Sequence, residues 1–225
     1  MKQVKRLFIF AIAFALVLTC VFSTTSCGKK SSTVYLVIED YGMVTIELYG
    51  DKAPITVENF TNLVNEGFYD GLTFHRIIEQ FMIQGGDPNG NGSGGSGKKI
   101  TGEFSQNGYD TGLKHVEGTI SMARSGHPYE SYHNAGYVDI PFSQREPYYN
   151  SASSQFFIVT ETSENNSRSL DGNYAAFGKV TEGMEVIKAV AAVKTGENDK
   201  PLSPVKIAVI TFDKAEAENA LNNEK

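Results

Sequence analysis

Residues 74–87 read Phe-His-Arg-Ile-Ile-Glu-Gln-Phe-Met-Ile-Gln-Gly-Gly-Asp. They set a guanidinium (Arg76), two soft apolar groups (Phe81 and Met82) and a carboxamide (Gln84) within nine residues of one another. Runs 74–78 and 81–84 are strand-like, and alternate side chains of an extended segment share one face. The four groups can therefore surround one concave surface. The set has no nucleophile and no paired acid and base. It suits a site that grips a substrate and steers charge without breaking covalent bonds. His75 points away from Arg76 by the same alternation and reads as structural.

The elements that must position these groups are mostly strands. Residues 34–39 and 43–49 flank Asp40-Tyr41-Gly42 as a hairpin, with Val44, Ile46 and Leu48 on one face. Pro54 opens a helix where its missing N–H costs little, and Gly67 ends it. Val57, Phe60, Leu63 and Val64 give that helix an apolar stripe. Residues 118–124, 155–159 and 205–212 are further strands. Residues 181–194 form a second helix with Met184, Ile187, Val190 and Ala191 on one side, and 214–225 is a polar, helix-prone tail. Short turns join most of these elements, which suits an antiparallel barrel.

Other chemistries fit less well. Gly90-Asn91-Gly92-Ser93-Gly94-Gly95 matches G-x-G-x-x-G as a string, and 92–99 nearly matches a P-loop, but Lys99 stands where Ser or Thr should hold magnesium. Both motifs need a helix start that meets the phosphate, and Ile100-Thr101-Gly102-Glu103-Phe104 is not one. A flexible loop bordering a groove is the expectation. No G-x-S-x-G occurs. His127, Glu130, His133 and Asp139 fit no standard metal spacing, so no metal is expected. The chain carries 20 Lys and Arg against 26 Asp and Glu, a formal charge of −6. That balance argues against nucleic acid as a partner.

Lys2, Lys5 and Arg6 precede an apolar run, 7–22, and then Thr24-Thr25-Ser26-Cys27. This is the layout of a bacterial secretory signal, and its final cysteine makes it resemble a lipoprotein signal. The run has about 16 residues, short of the roughly 20 that span a bilayer. The expected organisation is a signal over 1–27 ending at a lipidated Cys27, a polar tether over 28–33, one domain over 34–213 and a tail over 214–225. Cys20 leaves with the signal, so the mature domain has no disulfide. The protein is then expected outside the cytoplasm, anchored by lipid to the cell membrane, as a monomer.

Three separated blocks carry a family resemblance. Phe74-His75-Arg76-Ile77-Ile78 with Phe81-Met82-Ile83-Gln84-Gly85-Gly86-Asp87 resembles the cyclophilin peptidyl-prolyl cis/trans isomerases. Ser154-Gln155-Phe156-Phe157-Ile158 is similar to that family's next signature. Leu170-Asp171-Gly172-Asn173-Tyr174 with Phe177-Gly178-Lys179-Val180 is similar to the third. The similarity runs from about Val34 to Phe212.

The resemblance implies a closed eight-stranded antiparallel β-barrel capped by two α-helices, with no cofactor and with Xaa-Pro segments as substrates. It assigns Arg76, Phe81 and Gln84 to catalysis. Met82, Phe157 and Leu170 belong to the proline socket, Gln155 to peptide binding, Ala123 and Arg124 to backbone pairing, and Tyr174 to the rim. The family commonly has Asn at the Arg124 position, so a new charge is expected beside the groove. Ser169 stands where Trp or another aromatic often helps to bind cyclosporin. The stretch of about 24 residues over 126–149, which holds five of the eleven tyrosines, has no counterpart in the family pattern. It reads as an insert that selects substrates. The alternative to an enzyme is a module or holdase that binds proline segments with little turnover.

Overall fold

The computed structural model describes residues 32–223. The expected signal over 1–27 and the lipid site at Cys27 lie outside the described residues. Eight strands form one sheet: β1 (Ser32–Ile38), β2 (Gly42–Leu48), β3 (Arg76–Ile78), β4 (Met82–Gly85), β5 (Thr119–Met122), β6 (Phe156–Val159), β7 (Ala175–Glu182) and β8 (Ile207–Thr211). Their spatial order is β3-β4-β6-β5-β7-β2-β1-β8, and every ladder is antiparallel. The β1–β2 turn follows the expected chemistry, with Asp40 and Gly42 at φ 64° and 135°.

The expected closed barrel is corrected to an open one. No ladder joins β3 to β8 among the described residues. The chain ahead of β3 meets the start of β8 at the isolated bridge Thr73↔Lys206, where Phe74 N donates to Val205 O (2.9 Å), Ile207 N to Leu72 O (2.8 Å) and Gly71 N to Ile207 O (2.8 Å). The physical reason is local. β3 has three residues, and the chain ahead of β8 leaves extended geometry for a 3-10 turn at Glu197–Asp199. That turn, rather than a strand, faces β3.

The helices exceed the expected two: α1 (Pro54–Asn65), α2 (Glu130–Asn134), α3 (Phe142–Tyr149), α4 (Glu164–Leu170), α5 (Met184–Ala191) and α6 (Lys214–Asn223). α5 starts later than expected because β7 runs on to Glu182 and Gly183 breaks the strand in a left-handed conformation. α6 is no free tail: Ala217 is buried with Val37 and Val209 on the outer side of β1 and β8. None of the described helices is long and apolar enough to cross a membrane.

α1 drops Phe60 into the core. Its ring lies 5.2 Å from Tyr69, 5.2 Å from Phe177 and 5.8 Å from Phe156. No N-cap side chain serves this helix. Glu103 does so from a distant loop: Oε2 accepts from Thr56 N (2.8 Å) and Thr56 Oγ1 (2.7 Å), and Oε1 from Ile55 N (3.1 Å). Glu103 is buried, so its loss strands these donors at the positive end of the helix. Glu103→Ala should cost about 2 kcal/mol in denaturant unfolding. A loss under about 0.5 kcal/mol would show that water caps the helix equally well.

Candidate active site

The site follows from strand register. Arg76 on β3 sits opposite Gln84 on β4, Gln84 opposite Phe157 on β6, and Phe157 opposite Ser121 on β5. Directly opposed residues project from the same face. The adjacent row, Ile77–Ile83–Ile158–Ile120, projects from the other face and forms the core. One face of the β3–β4–β6 ribbon is therefore core and the other is site.

Between β3 and β4 the chain turns with Gln80 at φ 61° and Phe81 N donating to Ile78 O (3.1 Å). The turn folds Phe81 into a second apolar cluster with Met82, Phe157, Val159 and Leu170. Beside it lies a cavity of about 530 Å³. Of the ten expected site residues in the described chain, nine line it: Arg76, Phe81, Met82, Gln84, Ala123, Arg124, Phe157, Leu170 and Tyr174. Gln155 does not. Its Nε2 donates to Gly92 O (3.0 Å) and Gly94 O (2.8 Å), and its Oε1 accepts from Gln84 Nε2 (2.9 Å). Gln155 thus braces Gln84 and the glycine loop from behind.

That loop is tied rather than loose. The buried Asp87 accepts from the backbone N–H groups of Asn89 (2.9 Å), Asn91 (3.0 Å) and Gly92. Gly94 packs so closely on this carboxylate that a Cβ there would overlap it. Asn91 and Gly92 contribute to the cavity wall.

Arg124 corrects an expectation. Its side chain is 2% exposed and places no free charge beside the groove. It pairs with both carboxylate oxygens of Glu130, and its Nε donates to Asn173 O (2.8 Å). The guanidinium lies 4.8–5.3 Å from the ring centroids of Phe104, Tyr149 and Tyr174. A buried cation needs a counter-charge and hydrogen bonds, and aromatic faces add attraction; the 126–149 segment supplies Glu130 for the first and Tyr149 for the second. The same segment contributes no residue to the cavity lining. Its Tyr129, Tyr132, Tyr137 and Phe142 are exposed to solvent instead.

Sequence reasoning missed two parts of the site. His75 is buried yet lines the cavity, and neither ring nitrogen has a partner among the described residues. Alternation assigned it to the other face, but it precedes β3 and lies against Gly92 at the cavity's end. The second is the wall built by Glu197, Asn198, Asp199 and Lys200. Asp199 Oδ2 accepts from Arg76 Nε at 3.1 Å. Nothing in the local pattern of Gly-Glu-Asn-Asp-Lys marks it for that role.

Behind Phe157 lies a buried relay. His115 Nδ1 is 3.0 Å from Asp171 Oδ1, and Nε2 is 3.0 Å from Ser121 Oγ. The grouping matches a hydrolytic triad in composition, but Ser121 is fully buried and no substrate reaches it. The His115 ring stacks on Phe157 at 6.1 Å and 17° and so backs the socket.

These titratable groups set a pH dependence. Burial holds His75 and His115 below the ordinary 6.5, although Asp87 and Asp171 respectively oppose the shift. Burial pushes Asp87 and Asp171 up, but opposing causes together hold both below 3.8: for Asp87 three backbone N–H donors and the nearby His75, for Asp171 the backbone and ring of His115 and the charges of His115 and Lys114. Below 6.5 the unfolded chain binds protons on the two histidines that the native chain resists, so stability falls on acidification. A second loss follows beneath 3.8, as pH passes through the lowered native values of the carboxylates. Thermal melts should be flat from about pH 8 to 7 and decline below; a rise towards about pH 5 would contradict this assignment.

Comparison with known proteins places this geometry. Residues 33–212 match the family model for cyclophilin type peptidyl-prolyl cis-trans isomerase/CLD. A peptidyl-prolyl cis-trans isomerase-like 1 of Gibberella zeae is 41% identical over 177 residues, 78% of this chain and 92% of that protein. A peptidyl-prolyl cis-trans isomerase of Arabidopsis thaliana is 37% identical over 167 residues, 74% of this chain and 86% of that one. A cyclophilin type isomerase of Cryptosporidium parvum, crystallised in the presence of the dipeptide ala-pro, aligns with a TM-score of 0.63 at 28% identity. That alignment covers 81% of this chain and 99% of the other. These two sequence relatives are a fungal and a plant protein, and they overturn the expectation of a bacterial lipoprotein anchored outside the cytoplasm. With the family model matched over residues 33–212 and relatives of 37–41% identity that are named peptidyl-prolyl isomerases, the chain belongs to the cyclophilin type peptidyl-prolyl cis-trans isomerases.

Proposed function

We propose that the cavity binds an Xaa-Pro segment and that Arg76 drives rotation about its peptide bond. Amide resonance imposes a barrier near 18–20 kcal/mol on that rotation. In the twisted amide the proline nitrogen becomes pyramidal and basic. A donor aimed at it stabilises the twisted form and not the planar one, which is what acceleration requires. Arg76 stays protonated and donates from a rigid plane. Phe81, Met82, Phe157 and Leu170 take the proline ring, and burial of that ring holds the substrate. Gln84 bonds the peptide, while Gln155 acts on it through Gln84 and the glycine loop. The backbone of Ala123 and Arg124 pairs with the extended peptide, and Tyr174 closes the rim.

The observation that carries this reading is the register row Arg76–Gln84–Phe157, which sets a cation, an amide and an aromatic ring side by side at the cavity. The ala-pro dipeptide present with the Cryptosporidium parvum relative supports the substrate class. The test is magnetisation exchange between cis and trans forms of an Xaa-Pro peptide, with wild type and Arg76→Ala. Equal exchange in both, with binding retained, would leave only a proline-binding module.

A further inference from the structure

We propose that Asp199 is the positioning residue for Arg76, holding the guanidinium by its Nε so that both terminal amino groups serve the substrate. The inference rests on the role proposed above for Arg76. An arginine offers five N–H donors in a rigid fork, and which edge faces the substrate depends on what engages the others. Asp199 Oδ2 accepts from Nε at 3.1 Å, and Arg76 has no other protein partner among the described residues. One carboxylate bond therefore sets the plane of the guanidinium and leaves two donor groups unspent at the cavity.

The turn that carries Asp199 is shaped for this. Asn198 and Asp199 have φ of 57° and 59°. Two consecutive non-glycine residues in the left-handed region are uncommon, and such strain gathers where a function needs it. The turn is closed around them by Gly196 N donating to Lys200 O (2.8 Å), Leu202 N donating to Lys194 O (3.0 Å) and the bridge Thr195↔Pro201. Asp199 is thus presented by a closed backbone rather than by a mobile loop.

The bond is poorly placed to stabilise the fold. The Arg76 and Asp199 side chains are 43% and 44% exposed, and an ion pair so open to water contributes little to stability. A strained turn that delivers a carboxylate to the arginine of the cavity, for little gain in stability, fits positioning.

The experiment is a double-mutant cycle on exchange of an Xaa-Pro peptide, with Arg76→Ala, Asp199→Ala and the pair. Asp199→Asn provides a variant of unchanged size, and Asp199→Glu tests rescue. Asp199→Ala should lower kcat about 10-fold with KM unchanged, since what is lost is alignment towards the transition state. Asp199→Asn should fall between, and Asp199→Glu should recover part of the loss. In the Arg76→Ala background, Asp199→Ala should have no further effect, because there is nothing left to position. The same loss in both backgrounds, or an altered unfolding midpoint, would make Asp199 structural. A rate increase would make it a competitor for Arg76, and an unchanged rate would remove any role. Each of these overturns the proposal. An inactive Asp199→Ala beside a fully active Arg76→Ala would instead sink the parent reading.

Discussion

Arg76→Ala should lower kcat/KM for an Xaa-Pro peptide by about 10²-fold or more, the scale of losing one transition-state donor. The fold should survive it. Arg76 is about half exposed, its one partner Asp199 is equally open to water, and no buried group is left unsatisfied. The stability change is therefore expected within about 1 kcal/mol. Lys at this position should restore only part of the rate, since an ammonium keeps the charge but not the planar fork. Unfolding of Arg76→Ala at the assay temperature would make the residue structural and remove the catalytic argument.

Glu130→Ala should be the costliest change in the 126–149 segment, about 3–5 kcal/mol, as for removal of one partner from a buried ion pair. Arg124 would stay enclosed by Phe104, Tyr149 and Tyr174 with only the carbonyls of Asn173 and Ser125 to balance its charge. For a domain of this size the loss corresponds to a fall in Tm on the order of 10 °C. Adding Arg124→Ala to Glu130→Ala should cost less than the sum of the two, since the second removes the stranded cation. A Glu130→Ala variant within about 0.5 kcal/mol of wild type would place the pair among ordinary surface contacts.

Much of the site was legible because it is built from near neighbours. Arg76, Met82 and Gln84 lie on two strands joined by a tight turn, and two-residue alternation is enough to put them on one face. What escaped reading depends on distant partners. Asp199 is 123 positions from Arg76, and Glu103 caps a helix from 47 positions beyond Thr56. The setting of the Arg124 side chain was misjudged for the same reason: the residue lines the cavity, but its charge answers to a glutamate on α2. Short turns between strands suited an antiparallel barrel, and its closure was implied by the family resemblance. The gap between β3 and β8 depends instead on how the chain bends at Glu197–Asp199, which no periodicity reveals. The helix at 214–223 has too weak an apolar stripe to announce its docking, yet Ala217 is small enough to seat it against the sheet.

The register row carries a consequence for how the chain tolerates added or deleted residues. Along β4, Met82 and Gln84 face the cavity while Ile83 faces the core. Gain or loss of one residue there would move Ile83 to the cavity and drive Gln84 among Ile77, Ile158 and Ile120. A single shift would abolish the site and the core together, so no such change can be neutral for one and harmful for the other. The connection between β5 and β6 has no such double duty. Its ends are pinned by strands and its middle is held by the Arg124–Glu130 pair and the buried Tyr149 rather than by strand register, so a change in its length moves no residue of the β3–β4–β6 ribbon to the wrong side.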